Sequence, residues 1–310
     1  MIPTLLIYDA DCRIYEEMIS KRLPDLRICS STIPEQAFDV IEEVKVILSW
    51  KIPDELLKRA KNLRWFASLG AGNEHLVNNV HLPEAVILTK STAYGKMMAE
   101  YVFAYILYFI RELEKHFDDQ RKRRWQRKNL RRLSQKVMGI LGLGSVGKEI
   151  AKRGKQFEMY ILGVRRSPGP TACVDEIFGP KDLGQVIPRV DFLITALPLT
   201  SETHHLLGEK ELNLMKEGAT LFSVGRGETI DEAALIKILK TGKIQAVLDV
   251  FDTEPLPKES ELWSLKNVIV TPHVSGITPV QEVCEEFIAN YQRWEKGEPL
   301  FGLVDRIKGY

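Results

Sequence analysis

The sequence predicts an α/β protein built on two parallel-sheet domains, and three observations predict it. The chain has 310 residues, too many for one small core. Short apolar runs alternate with helically patterned segments along most of its length, the pattern of parallel sheets covered on both faces. Near the middle, Val137-Met-Gly-Ile-Leu-Gly-Leu-Gly-Ser-Val-Gly147 joins a buried strand to a helix through Gly142, Gly144 and Gly147. That G-x-G-x-x-G spacing suits a dinucleotide pyrophosphate. The first glycine allows the tight turn, the second lets backbone approach phosphate, and the third lets helix pack on strand. Backbone N–H groups at Ser145, Val146 and Gly147 open the helix with its positive dipole end.

In chain order, residues 4–8 read as a strand, and Ile14, Met18, Ile19 and Leu23 recur at helical spacing. Val44–Trp50 is a second strand, Pro53 opens a helix, and Arg64–Leu69 is a third strand ending in Gly70-Ala71-Gly72. A short helix and a strand at Ala85–Leu88 complete an α/β unit ahead of the glycine motif. Lys96 to about Phe117 reads as one long helix with an apolar middle, suited to a spine or a subunit contact. From Val137 the strands are Val137–Leu141, Tyr160–Val164, Asp191–Leu197, Thr220–Val224, Gln245–Val250 and Asn267–Val270. A helix over about 279–294 can carry the chain back to the first domain.

Bulk properties exclude several classes. Charge is nearly balanced, 43 basic against 42 acidic residues, which argues against a nucleic-acid or membrane binder. The basic run at 121–132, with Trp125 inside it, therefore reads as a solvated loop between domains. Cys12, Cys29, Cys173 and Cys284 are scattered, without zinc spacing, and read as reduced thiols of a cytoplasmic protein with no metal site. The N-terminus reads as a strand and not a signal peptide, and the apolar run at 101–110 is too short to span a bilayer.

Chemically capable residues cluster just past the strands, where open parallel sheets bind ligands. They include Leu197 and Pro198 after the third strand, Val224, Gly225 and Arg226 after the fourth, Asp249 and Glu254 after the fifth, and His273 and Ser275 after the sixth. The second strand ends in Arg165-Arg166-Ser167, where an NAD site would carry a carboxylate for the ribose hydroxyls. Two guanidiniums and a hydroxyl fit a 2′-phosphate instead, so the expected cofactor is NADP(H). Arg226 offers a planar fork of donors suited to a carboxylate and an adjacent carbonyl. His273 is suited to proton donation, and Glu254 to holding its imidazolium. The remaining histidines, His75, His81, His116, His204 and His205, are read as structural.

On four stretches the chain resembles the D-isomer-specific 2-hydroxyacid dehydrogenase family: Leu141–Gly147, Ser223–Asp231, Val247–Pro257 and Leu262–His273. Leu69–Gly72, Met98–Glu100 and Arg111 extend the likeness over almost the whole chain, and the tail from Val270 to Tyr310 resembles the glyoxylate/hydroxypyruvate reductase A branch. The resemblance implies two Rossmann-like or flavodoxin-like domains. Residues 96–279 would form the nucleotide domain, inserted into a discontinuous substrate domain of residues 1–95 plus 280–310. It places the active site in the cleft, with Arg226, Glu254 and His273 catalytic, and Asp249 near the nicotinamide. Backbone at Leu69, Gly70, Ala71 and Gly72 would grip the substrate carboxylate, with Trp50 a candidate wall. A homodimer and a small 2-oxoacid substrate are implied as well. Within the same fold the alternative is a phosphoglycerate dehydrogenase-like enzyme. Outside enzymes it is a nucleotide-sensing corepressor-like binding protein.

Overall fold

The computed structural model describes residues 5–309 apart from 128, 130 and 168. The chain divides into two compact units, 1–94 with 278–310, and 95–277.

The first unit contains β1 (Leu5–Tyr8), α1 (Cys12–Arg22), β2 (Ile28–Ser31), α2 (Pro34–Phe38), β3 (Val46–Ser49), α3 (Asp54–Arg59), β4 (Trp65–Ser68), α4 (Glu74–Val77) and β5 (Ile87–Lys90). The strands form one parallel sheet in the order β2-β1-β3-β4-β5. Their side chains alternate between two cores, as the twofold period of a strand demands. Leu5, Ile7, Val46, Leu48, Trp65 and Ala67 join one core, which Cys12, Tyr15 and Ile19 of α1 help to cover. Leu6, Ile47 and Phe66 join the other, together with Ala37, Leu56, Leu57 and Leu76.

The second unit begins with α5 (Gly95–Ile110) and α6 (Leu113–Arg121) and continues with β6 (Val137–Leu141), α7 (Ser145–Gln156), β7 (Tyr160–Val164), β8 (Glu176–Phe178), α8 (Leu183–Val186), β9 (Phe192–Thr195), α9 (Glu209–Asn213), β10 (Thr220–Ser223), α10 (Glu232–Lys240), β11 (Gln245–Leu248) and β12 (Val268–Val270). These seven strands run parallel in the order β12-β11-β10-β9-β6-β7-β8. Counted within the unit, that is the doubly wound arrangement whose order reverses between β6 and β9, where dinucleotides bind.

The chain then returns through α11 (Val280–Glu295). Val283, Cys284, Phe287, Ile288 and Tyr291 of α11 enter the core of the first unit, and Phe287 stacks on Trp65 with 5.2 Å between ring centroids. Glu286 accepts from the Ser91 hydroxyl (2.8 Å) and the Thr92 N–H, and Arg306 donates to the Leu82 and Val86 carbonyls at 3.0 and 2.9 Å.

The elements depart from the sequence reading in four places. The single helix expected over 96–117 is two: α5 stops at Ile110, Glu112 takes a left-handed φ of 49°, and α6 starts afresh at Leu113. The apolar stripe that favours one helix runs out at the Arg111-Glu112 pair. Strands β2 and β8 lacked an apolar run. Both are short, partly exposed edge strands, which need none. The strand expected at Ala85–Leu88 lies two residues later, because Lys90 N–H pairs with the Gly302 carbonyl (2.8 Å) and extends the edge. The basic 121–132 segment carries no regular element beyond the last residue of α6 among its described residues; Lys128 and Leu130 lie outside these. Its first cations are already spoken for, with Lys122 paired to Asp118 (2.8 Å) and Arg124 to Asp118 and Asp119 (2.9 and 2.8 Å). Trp125 stands 92% exposed.

Candidate functional site

The glycine motif folds as its spacing requires. Gly142 has φ +96°, and a Cβ there would lie 2.6 Å from the Ala196 carbonyl oxygen, so only glycine fits the turn out of β6. A Cβ at Gly147 would lie 1.9 Å from the Gly142 carbonyl oxygen, so the third glycine is what lets α7 sit on the turn. Gly144 differs: a Cβ there would meet no protein atom within 4 Å. It caps α7 with no side-chain hydrogen bond, leaving the first-turn N–H groups to an outside acceptor. A cradle the protein does not itself need, at a helix N-terminus, fits a dinucleotide pyrophosphate.

Beyond β7, the Arg165 guanidinium donates to the Thr171 hydroxyl (3.0 Å) and Arg166 forms an ion pair with Glu202 (2.6 Å). Glu202 lies in the loop after β9 and is 65% exposed. Ser167 is exposed beside them. Sequence reasoning found the two arginines and missed the carboxylate that competes for one of them.

Arg226 follows β10 between two glycines, each pressed on neighbouring backbone. A Cβ at Gly225 would lie 2.5 Å from the Leu197 carbonyl oxygen, and one at Gly227 would lie 2.0 Å from the Phe251 carbonyl carbon. The arginine turn is thus seated against the ends of both adjacent strands. One Arg226 N–H donates to the Gly225 carbonyl at 2.9 Å, which fixes the start of the guanidinium fork.

Glu254 and His273 come together. His273 Nδ1 lies 2.7 Å from Glu254 Oε2, and Phe251 N–H donates to Glu254 Oε1 at 3.1 Å. A carboxylate only accepts, so Nδ1 carries hydrogen and Nε2 is the nitrogen left for chemistry. Both side chains are partly open, 49% and 37% exposed. His273 adopts φ +53°, a conformation that costs a non-glycine residue roughly 1–3 kcal/mol.

Asp249, fully buried at the end of β11, holds that conformation in place. Its carboxylate accepts from the Thr271 hydroxyl (2.6 Å), Val274 N–H (2.8 Å) and Ser275 N–H (2.9 Å), while its carbonyl accepts from His273 N–H (2.9 Å). The sequence reading placed Asp249 near the nicotinamide; the structure occupies both of its oxygens with the 271–275 turn. In turn, the Tyr101 hydroxyl lies 2.5 Å from Thr271 Oγ1. Neither Thr271 nor Tyr101 stood out in the sequence, since neither residue type signals chemistry alone.

In the first unit the loop after β4 is shaped by an aromatic pair. A Cβ at Gly70 would lie 1.7 Å from the Trp50 ring, so the indole is pressed close against the loop backbone. His75 Nε2 is 2.7 Å from the Trp50 carbonyl oxygen, and its ring meets the indole edge-on at 4.6 Å. His75, read as structural from sequence, is therefore a brace for Trp50. Leu69 is buried, and Ala71 and Gly72 are partly exposed.

A doubly wound dinucleotide unit with an arginine and a bonded Glu–His pair at successive strand ends defines the class as nucleotide-dependent oxidoreductase. Comparison with known proteins narrows it. Residues 103–275 match the family described as D-isomer specific 2-hydroxyacid dehydrogenase, NAD binding domain. A glyoxylate/hydroxypyruvate reductase A from Escherichia fergusonii is 32% identical over 271 residues, 85% of this chain and 86% of that protein. A glyoxylate reductase from Thermococcus gammatolerans is 34% identical over 289 residues, 86% of this chain and 83% of that one. Among solved structures, a D-isomer specific 2-hydroxyacid dehydrogenase from Xanthobacter autotrophicus Py2, in complex with NADPH and MES, superposes with a TM-score of 0.90. It is 31% identical, with 100% of each chain covered. The chain belongs to the D-isomer-specific 2-hydroxyacid dehydrogenase family.

Proposed function

We propose that this chain is an NADPH-dependent reductase of small 2-oxoacids, glyoxylate and hydroxypyruvate among them, yielding D-2-hydroxyacids. The observation that carries the proposal is the His273–Glu254 contact of 2.7 Å, in the unit that also holds the glycine cradle and the Arg226 turn. The reductases named among its relatives and the NADPH held by a structural neighbour support it.

When bound, the reduced nicotinamide supplies hydride to carbon 2 of the oxoacid. The chain's residues do the rest. Arg226 holds the carboxylate and the carbonyl oxygen and stabilises the negative charge that grows there. As the carbonyl π pair moves onto oxygen, His273 donates a proton from Nε2, leaving a neutral hydroxyl. Glu254 keeps Nδ1 protonated and the ring oriented throughout. Backbone N–H groups of residues 70–72 are assigned to the substrate carboxylate, and Trp50 to a wall beside it. Arg165, Arg166 and Ser167 are assigned to the 2′-phosphate. Because Glu202 is largely exposed, freeing Arg166 from it costs about 1 kcal/mol or less. Leu197, Pro198, Val224, Gly225 and Ser275 complete the strand-end surface assigned to the cofactor. A homodimer working in the cytoplasm is part of the proposal. Among the described residues no helix is long and apolar enough to cross a membrane, and no group of three His, Cys, Asp or Glu side chains is placed to hold a metal.

The test is a panel of 2-oxoacids assayed by NADPH oxidation, repeated with NADH. Turnover of glyoxylate or hydroxypyruvate with a higher kcat/KM for NADPH is expected, and Arg165→Asp should shift that ratio toward NADH. Strong preference for NADH would overturn the cofactor assignment. Undiminished turnover in His273→Gln would overturn the proton donor.

A further inference from the structure

Tyr101 lies on α5, outside every strand-end loop, and nothing in the proposed reaction uses it. The geometry nevertheless ties it to the proton donor. Thr271 Oγ1 sits 2.6 Å from Asp249 Oδ1, and a carboxylate can only accept, so the threonine hydroxyl spends its one hydrogen there. That leaves Thr271 only lone pairs toward Tyr101, 2.5 Å away. The direction is forced: Tyr101 O–H donates to Thr271, which donates to Asp249. Burial, with the charge of Asp249 adding to it, raises the Tyr101 hydroxyl well above its ordinary range, so it keeps the proton it must donate. Tyr105 packs edge-on against the Tyr101 ring at 4.9 Å and limits its swing.

The far end of this chain is the turn that carries His273. The same Asp249 oxygen that takes the Thr271 hydroxyl also takes Val274 N–H, and the other oxygen takes Ser275 N–H. The left-handed φ of His273 survives only while those bonds over-determine it. No arginine or lysine bonds Asp249 among the described residues, so its buried charge rests on these neutral donors and on what polarises them.

We propose that Tyr101 is a positioning residue for His273, acting through Thr271 and Asp249 to hold the 271–275 turn. This rests on the reading of His273 as proton donor, and it adds α5 to the machinery. α5 opens at Gly95, where a Cβ would lie 2.9 Å from the carbonyl oxygen of Ser145, the first residue of α7. The helix that supports the proton-donor turn is thus packed at its start on the helix that begins the dinucleotide cradle.

The experiment uses the full chain with four variants: Tyr101→Phe, Thr271→Val, Thr271→Ser and His273→Gln. Tyr101→Phe should lower kcat about tenfold, the order expected when a catalytic group loses sub-ångström alignment, while KM for NADPH stays within about twofold. Thr271→Val should lower kcat at least as far, and Thr271→Ser, which keeps the hydroxyl, should restore most of it. Amide hydrogen exchange of the cofactor-free protein gives a readout independent of turnover. Exchange at Val274 and Ser275 should quicken in Tyr101→Phe and Thr271→Val and return toward the parent rate in Thr271→Ser. A merely structural tyrosine would lower the melting temperature while leaving kcat and those two amides unchanged, and that result overturns the proposal. Equal losses in Thr271→Ser and Thr271→Val would do the same. His273→Gln separates the two readings: if it leaves turnover intact, the donor assignment fails, whereas loss of turnover there with a silent Tyr101→Phe defeats only the positioning role.

Discussion

Two glycines of one motif, three residues apart, should respond to the same substitution in opposite ways. In Gly147→Ala the new Cβ would lie 1.9 Å from the Gly142 carbonyl oxygen, about 1.5 Å short of the 3.4 Å at which ordinary contact begins. Both partners are backbone, one in a tight turn and one in the first turn of α7, so neither can yield by rotating a side chain. Overpacking of this severity costs about 3 kcal/mol. For a domain of this size that is a fall of roughly 6–12 °C in Tm. In Gly144→Ala the Cβ meets nothing of the protein, and the backbone there (φ −75°, ψ −161°) is extended and open to alanine. Replacing a glycine N-cap by alanine costs roughly 0.5–1 kcal/mol, and the stiffer unfolded chain returns a similar amount, so Tm should barely move. What the methyl occupies is the approach to the pyrophosphate. Losing a charge-assisted bond there, about 2 kcal/mol, should raise Kd for NADPH roughly thirtyfold. Calorimetry of both variants without cofactor, and titration of Gly144→Ala with NADPH, decide it. If Gly144→Ala melts as low as Gly147→Ala, or binds NADPH as tightly as the parent, the separation of fold from ligand is refuted.

Three further outcomes are expected. Glu202→Gln releases Arg166 from a largely exposed ion pair, so KM for NADPH should fall about two- to fivefold while KM for NADH stays put. Gly227→Ala would set a Cβ 2.0 Å from the Phe251 carbonyl carbon and push the Arg226 turn off the segment bearing Glu254. Its kcat should drop about a hundredfold, in steady-state assays at saturating NADPH, with Tm lowered too. Although Asp252 is exposed at its surface, partial desolvation pushes it above the usual carboxylate range, with Glu228 and Asp231 adding to it and His205 opposing. An acid with a raised folded pKa stabilises the fold fully only below its unfolded pKa, near 4, and loses that contribution as pH rises through the folded value. Asp252→Asn should therefore melt higher than the parent at pH 7, with the gap closing on acidification, as followed by thermal denaturation across pH.

Legibility in the sequence tracked how local each feature is. The turn at 142–147 was readable because three glycines lie within six residues, Gly142 and Gly147 pressed on neighbouring backbone and Gly144 facing open space. Strands β3, β4 and β6 were readable because burial on both faces writes them as apolar runs. Edge strands β2 and β8 were not, since one flank needs no apolar partner. Glu112 broke the long helix with a φ no residue type announces. The deepest losses were partnerships across the chain. Tyr101 and Thr271 are 170 positions apart, and His75 and Trp50 are 25 apart, so nothing in either neighbourhood marks the pair. Arg165 and Arg166 were legible as a missing carboxylate, yet the Glu202 that meets Arg166 arrives from 36 residues downstream.

The same distinction explains how residues as far apart as 226, 254 and 273 serve one reaction in the proposed function. They follow β10, β11 and β12, which are consecutive neighbours in the sheet. Parallel neighbours stand about 4.8 Å apart, so three successive strand ends span roughly 10 Å whatever the sequence between them. Sheet order delivers the residues to one edge but does not orient them. Orientation comes from bonds between the loops themselves: Gly227 seated on Phe251, Phe251 N–H on Glu254, Glu254 on His273, and Asp249 on the turn beyond. Three of these links join one strand-end loop to its neighbour and the Phe251–Glu254 bond stiffens the loop between, so a strained φ at His273 is sustained by two loops at once. Such a site is built from backbone donors and glycine contacts more than from conspicuous side chains. A weak point of the His273 turn is then the link made by a side-chain hydroxyl, Thr271, and in the proposed positioning the tyrosine that donates to it.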